Sequence, residues 1–507
     1  MVVHSKEFYK RYTILLIALV CSLFIPYFLY SFQDTYQPVR PPYEYPSIVK
    51  YSYKWPKQNH FPHGIHPMTA KSTDTIRDAH YKAIDQKYCG KDRCKFILPV
   101  LITEQESKAQ LHFRQLAFLA GKVGRTIVLP NVQNSHLGGC LPHSFDYYYD
   151  HSWLDKNKKH FSYITMNDFK AWLAEREEVK VIPTGQEVRI HGDRRSKLRG
   201  RNCFQKSMDF TGRPSVTYMM RDPSDPRQRH GNFTEILMNL LSDEAREYEY
   251  ISGNTGSMMS LVDTFDDDTY YVKDRPNIPP VDVINIYYDR RFKFIENPEA
   301  QNPLTYNQRW VDIADTISSQ LKPFMAIHWR MEQLEPVSNL LPCAEDLVKK
   351  IHQLESNGDK KVKTKHPNVF LLTDYPHLLN TAGAKPESNS FHLNQLKPEH
   401  HNAIEYLYTH LNITLTSLED QNIPYAELPQ NWHILPIDTQ NASPVDRSIL
   451  GIVDKLVAMR AQWFFAGKPG VCAKSSSFTG RISKSREKAF KNGDENIITP
   501  LDTFKLN

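Results

Sequence analysis

The feature that most constrains the fold is an alternation in the C-terminal half. Short apolar runs at 324–329 (FMAIHW), 369–373 (VFLLT), 432–437 (WHILPI) and 462–466 (QWFFA) read as buried strands. Helical patterns fall between them at about 343–356, 398–411 and 447–461, with a last one at about 478–490. Repetition of this kind predicts an α/β fold with a parallel sheet and helices on both faces. The segment IVDKLVAMRA has the apolar spacing of a helix lying on such a sheet. The first half repeats the pattern less regularly. It offers a strand at 95–102 (KFILPVLI), a helix at 106–123, a strand at 125–130 (RTIVLP) and later strands near 179–182, 215–220 and 282–288. A helix over 305–321 then leads into strand 324–329. The polar stretch ENPEAQNPL is the expected boundary between two α/β domains, 91–300 and 301–507, facing a cleft where a ligand would bind.

The N-terminus points to a membrane. Residues 12–32 carry no charge, follow Lys6, Lys10 and Arg11, and precede Asp34. A spanning helix needs roughly 20 apolar residues, and positive charge stays on the cytosolic side. The expectation is a cytosolic tail (1–11), a retained transmembrane anchor (12–32) and a Pro/Tyr-rich stem (33–90), with the rest lumenal. No small-residue cleavage site suggests a removed signal peptide. Cys89, Cys94, Cys140, Cys203, Cys343 and Cys472 lie beyond the anchor; their even number allows complete disulfide pairing, with the connectivity open. Asn232-Phe-Thr and Asn412-Ile-Thr are glycosylation sequons, and Asn441-Ala-Ser is a poorer one. A net charge of +6 without a dense basic run argues against a nucleic-acid partner.

Several features bear on chemistry. Arg330 ends the strand that opens the second domain, at the sheet edge where open α/β folds bind ligands. Its planar fork suits a phosphate or carboxylate. The segment GVCAKSSSFTGRISKSR (470–486) follows the last strand and opens a helix. Its serines can cap that helix, and the free N–H groups beyond can hold a phosphate. Asp454 on the preceding helix can accept hydrogen bonds from a base or a sugar. Asp374 ends a strand at the cleft edge. Asp266, Asp267 and Asp268 look like a metal–diphosphate run but read better as a solvated acidic loop, so no metal is expected.

H-x-R at 328–330, SSFTGRISKSRE at 476–487 and, more faintly, QLAFLAGKVGRTIVLP at 115–130 resemble the GDP-fucose-dependent protein O-fucosyltransferases and their relatives. In outline the resemblance spans most of 95–490. It implies a GT-B fold of two Rossmann-like domains, with the nucleotide sugar held mainly by the second. It also implies inverting transfer of fucose from GDP-fucose to a protein or glycan hydroxyl, with no obligatory cofactor. By the same resemblance Arg330 meets the diphosphate, with His328 beside it. Asp454 lies near the guanosine, and Ser476, Ser477 and Phe478 form the turn at the phosphates and sugar. Negative charge growing on departing GDP would be stabilised by the arginine and the helix N–H groups.

Two departures stand out. Met331 occupies the place where many relatives carry a second arginine. The loop Thr103–Gln110 lacks the family's glycine and asparagine, but Glu104 and Glu106 stand where some relatives place a catalytic glutamate. Either is a candidate base for the acceptor hydroxyl, and either could instead serve only the helix dipole. The expected setting is a single-pass type II protein of the Golgi or ER membrane acting on a glycoprotein or polysaccharide. A donor other than GDP-fucose and a noncatalytic carbohydrate-binding or scaffold protein are the alternatives, since fold does not imply activity.

Overall fold

In the computed structural model, the described residues are 70–191, 200–213, 215–219, 234, 237–238, 241–242, 248–250, 272–274, 280–289, 295, 297–356, 368–375, 391, 393–418, 432–438 and 446–506. All belong to one compact unit, Met68–Asn507. The expected tail, the anchor, the stem up to residue 69, Asn232, Asp266–Asp268 and Asn441 lie outside the described residues. Among the described residues no helix is long and apolar enough to cross a membrane.

The chain begins with α1 (Ala70–Cys89), β1 (Phe96–Ile102), α2 (Glu106–Lys122), β2 (Thr126–Val128), β3 (Asn131–Gln133) and β4 (His136–Gly138). It continues through α3 (Ser152–Lys156), β5 (Tyr163–Ile164), α4 (Met166–Glu178), β6 (Gly185–His191) and β7 (Val216–Met219). A separate two-stranded pair, β8 (Tyr248–Tyr250) and β9 (Val272–Asp274), precedes β10 (Val283–Asp289). Strands β5-β2-β1-β10-β6-β7 run parallel in that order. The β3–β4 hairpin is added antiparallel at the end of β1, through Ile102 and Leu137. Its two turn residues, Asn134 and Ser135, have φ of 50° and 64°, the left-handed backbone that a two-residue hairpin turn requires.

The second sheet follows α5 (Pro298–Gln301) and α6 (Gln308–Leu321). It comprises β11 (Phe324–Trp329), α7 (Leu340–Ser356), β12 (Asn368–Thr373), α8 (Pro398–His410), β13 (Ile413–Leu418) and β14 (Trp432–Ile437). It ends with α9 (Ser448–Met459), β15 (Trp463–Gly467), α10 (Ser477–Lys491) and β16 (Thr499–Phe504). The order β14-β13-β12-β11-β15-β16 is parallel throughout. The chain leaves β11 toward β12 on one side and returns to β15 on the other. The strand order therefore reverses between β11 and β15, which opens a crevice at their carboxyl ends.

The central strands are apolar on both faces because helices cover both. In β11, Met325, Ile327 and Trp329 pack with Leu347, Ile351 and Leu407. Phe324 and Ala326 point the other way, to Ile449, Val453 and Val457. β1 alternates likewise, with Phe96, Leu98 and Val100 against Phe169 and Trp172, and Ile97 in the opposite cluster.

Three expectations change. Residues 70–89 are helical and packed, not part of an extended stem: Asp85 is fully buried and accepts from Trp172 Nε1 at 2.7 Å, Arg176 Nη1 at 2.9 Å and Cys94 N at 2.8 Å. Residues 179–182 are not a strand; Lys180 ends α4 with a left-handed φ of 58°, and the strand starts at Gly185. Strands β13 and β16 were not expected, because ITLTSL and TPLDTF are too polar to read as core. The six cysteines pair as Cys89–Cys94, Cys140–Cys203 and Cys343–Cys472. Asp85→Ala should destabilise the protein by about 3–5 kcal/mol in urea unfolding, because it removes the carboxylate bonded to buried Arg176, leaving only Asp282 at 3.9 Å; a freely solvated stem would tolerate the change.

Candidate functional site

A cavity of about 270 Å³ lies where the carboxyl ends of the second sheet meet the loops after β1 and β3. The first sheet contributes Glu106, Asn134, Ser135 and His136. The second contributes His328, Arg330, Thr373 and Asp374. Arg447, Asp454 and Lys455 reach it from the start and face of α9, and Ser476, Ser477 and Phe478 from the start of α10. Every sequence-predicted site residue except Glu104 therefore lines one cavity.

Arg330 leaves the end of β11 with its guanidinium held on two sides. Nη1 donates to the Ser475 carbonyl at 3.0 Å, and Nη2 pairs with Glu332. Glu332 is buried and also meets Lys474 Nζ at 3.4 Å. Asp374, at the end of β12, accepts from the N–H groups of Met331 at 2.8 Å and Glu332 at 3.1 Å. These bonds fix the turn that follows Arg330. Burial pushes the Asp374 carboxyl up to about 6, against the pull of those two donors and with a further push from Glu332. Met331 is fully buried in an apolar cluster with Trp329 and Leu334, so the chain turns this position into core.

The serine segment is fastened to the same strand end. Trp329 Nε1 donates to the Cys472 carbonyl at 2.7 Å, Lys474 N donates to the Arg330 carbonyl at 3.1 Å, and Cys472 is bonded to Cys343 on α7. Ser476 is the N-cap of α10, its side chain accepting from Thr479 N at 3.3 Å. The N–H groups of Ser477 and Phe478 precede the first intrahelical bonds and are the kind that bind anions. His328 stacks on Phe478 with ring centroids 5.0 Å apart, and its Nδ1 lies 2.7 Å from Thr479 Oγ1. Burial, with help from Arg330, pushes the His328 imidazole down to about 3, so it stays neutral. Asp454 is hydrogen-bonded by Thr416 of β13.

Glu106, one of the two candidate bases, is held from several sides. It is buried, and its Oε1 accepts from Gln110 at 2.7 Å, Tyr149 at 3.0 Å and Tyr306 at 2.9 Å. Its Oε2 pairs with Lys455 and accepts from Ser107 at 3.2 Å. Burial pushes its pKa up, but Lys455 and the tyrosine donors more than offset that, and the carboxyl ends below its usual value. As the anion it is held by Lys455 and the two tyrosines, which ties α2 to α9. Glu104 stands outside the cavity lining, 3.5 Å from Lys108, with its carbonyl 3.2 Å from His136 Nδ1.

Sequence reasoning passed over Lys455, Arg447 and Asp446. Lys455 gave one signal, a lysine within the apolar IVDKLV run. Asp446 is fully buried and accepts from Asn134 N at 3.1 Å, from Ser448 N at 3.0 Å and from the Tyr148 hydroxyl, joining the β3–β4 turn to α9.

No protein-family model matches the chain, and no curated protein matches it. Among solved structures, POFUT1 in complex with GDP-fucose is similar at 12% identity and a TM-score of 0.37, covering 82% of this chain and 98% of that one. POFUT1 in complex with GDP gives 14% identity and a TM-score of 0.39, over 81% and 98%.

Two outcomes follow from the electrostatics of the cavity. Lys455→Met should cost about 3–5 kcal/mol by stranding a buried carboxylate, and adding Glu106→Gln should recover much of that loss in urea unfolding. His328 has a folded pKa of about 3 against an ordinary 6.5. Its stabilising contribution is therefore present above pH 6.5 and lost as pH falls. About 2 kcal/mol should go between pH 6.5 and 5, and His328→Gln should flatten that slope in melts across the range.

Proposed function

We propose that this chain is a glycosyltransferase acting on a nucleoside diphosphate sugar, GDP-fucose before others, and transferring the sugar with inversion to a protein or glycan hydroxyl. One observation carries the reading. The end of β11, with His328 and Arg330, and the start of α10, with Ser476–Phe478, meet in one cavity where the strand order reverses. A diphosphate placed there would find a fixed guanidinium and unpaired helix N–H groups. Both stabilise the negative charge that grows on the departing nucleotide. Arg330 needs little reorientation, because Glu332 and the Ser475 carbonyl already hold it. Neutral His328, stacked on Phe478, gives the site a flat wall without adding charge. Asp454 would accept from the nucleoside. No metal is part of the proposal.

The acceptor's proton is assigned to neither Glu104 nor Glu106. Because Lys455 and the tyrosines occupy Glu106, a second reading is favoured to that extent: a noncatalytic binding protein on the same fold. Such a protein would bind nucleotide without turnover. The two parallel sheets, with the cavity at their carboxyl ends, support the GT-B arrangement of an acceptor-side 91–300 and a donor-side 301–507. The uncharged run 12–32 and the three disulfides support a type II anchor in the Golgi or ER, where thiols oxidise.

The test is nucleotide binding by the full chain. GDP at about 100-fold over its Kd should add about 2.7 kcal/mol of stability, read as a rise in Tm. Arg330→Ala should abolish the rise. Absence of any shift at millimolar GDP would remove the reading. A panel of GDP- and UDP-sugars, with sugar release as the readout, should show GDP-fucose turned over fastest.

A further inference from the structure

We infer that Arg447 is the second cation of the donor site and that it binds the diphosphate together with Arg330. The inference rests on the nucleotide-sugar reading above. Arg447 immediately precedes α9 and lines the same cavity as Arg330, Ser476 and Ser477. It is half-buried, and its Nη1 is enclosed with no hydrogen-bond partner among the described residues. A guanidinium nitrogen taken out of water without an acceptor is costly, and an anionic oxygen would satisfy it.

The other Lys and Arg side chains that line this cavity, and Lys474 beside it, have carboxylate partners. Lys455 is held by Glu106, Arg330 Nη2 by Glu332, and Lys474 by Gln333 at 2.7 Å and Glu332. Asp446, the carboxylate next to Arg447 in the chain, is occupied by Ser448, Asn134 and Tyr148. Position 331 cannot supply a second cation, because Met331 is buried in the apolar cluster behind β11. A diphosphate carries more charge than Arg330 alone would balance, and Arg447 lines the cavity with an enclosed donor that has no partner among the described residues.

The helix face agrees with this placement. Arg447, Gly451 and Asp454 all line the cavity at spacings of four and three residues, which puts them on one side of α9. Arg447 and Asp454 are then separated by roughly 10 Å along the axis, a span on the order of one nucleotide. Gly451 lies between them, and a Cβ built there would only touch the Phe478 ring, at 4.0 Å. The nucleotide would thus lie along α9, with its phosphates toward Arg447 and its nucleoside toward Asp454.

Calorimetric titration of the full chain with GDP, GMP and guanosine tests this. Arg447→Met should weaken GDP binding about 10- to 100-fold, weaken GMP less and leave guanosine unchanged, while Arg447→Lys should recover part of the loss. Arg447→Gln serves as a second variant should the methionine form fail to fold, and an unchanged Tm without ligand shows that the fold is intact. If either variant binds GDP as the parent does while Arg330→Ala does not, the inference is overturned and the donor reading stands. An equal loss for guanosine would also overturn it, by placing Arg447 at the base. If the parent binds no GDP, the donor reading itself falls and takes the inference with it.

Discussion

The Lys455–Glu106 ion pair is the interaction on which the site depends. Lys455 lies on α9, which leads into β15 of the second sheet, and Glu106 is the first residue of α2, which follows β1 of the first. Neither charge could be buried alone, because the desolvation of each exceeds what apolar packing returns. Buried together, with Tyr149, Tyr306, Gln110 and Ser107 completing the hydrogen bonds, they join the crossover helices of two sheets. Asp446 makes a second tie of the same kind, from α9 to the Asn134 backbone. These two ties hold the loops after β1 and β3 against α9, on the cavity that the turn after β11 also lines. The carboxylate that the sequence offered as a catalyst is, in the fold, part of the join.

Much of the fold was legible because buried parallel strands are apolar throughout. FMAIHW and VFLLT announce themselves, as does a helix such as IVDKLVAMRA. The strands that escaped notice are those whose neighbours hide polar groups. Thr414 and Thr416 of β13 are buried, and Thr416 bonds to Asp454. Strand β16 lies at the sheet edge and stays half-exposed. Helix α1 was hidden for a different reason. Its mean polarity is that of a surface segment, and its packing shows only through distant partners, as where Asp85 meets Trp172 and Arg176 from 87 and 91 residues away.

The site divides along the same line. Arg330 and Ser476 were readable because they end a strand and start a helix, positions that local sequence marks. The position of Asp374 at a strand end was readable too, but its partners were not, and Glu332 and Arg447 gave no signal, because what each does depends on a partner set by topology. Adjacent parallel strands bring the end of β12 beside the end of β11, and only then does Asp374 meet the N–H groups of Met331 and Glu332. Lys455 could have been suspected from its apolar surroundings, but its counter-charge lies 349 residues earlier.

The turn after β11 shows why an arginine closely tied to carboxylates can still serve an anion. A guanidinium has five N–H donors in one plane. Here Glu332 and the Ser475 carbonyl take donors from its two terminal nitrogens, and Arg330 keeps a face toward the cavity. Asp374 acts one step back, holding the backbone that carries Glu332. The side chain therefore loses its rotational freedom when the protein folds, before any ligand arrives. That is the condition under which a charge is most effective, because no reorganisation is left for the moment at which negative charge develops. A lysine at this position could supply the charge but not the two fixed contacts, since its ammonium is a point on a flexible stem. The carboxylate beside Arg330 thus lowers the net charge of the turn and, in exchange, fixes the direction in which the remaining donors point.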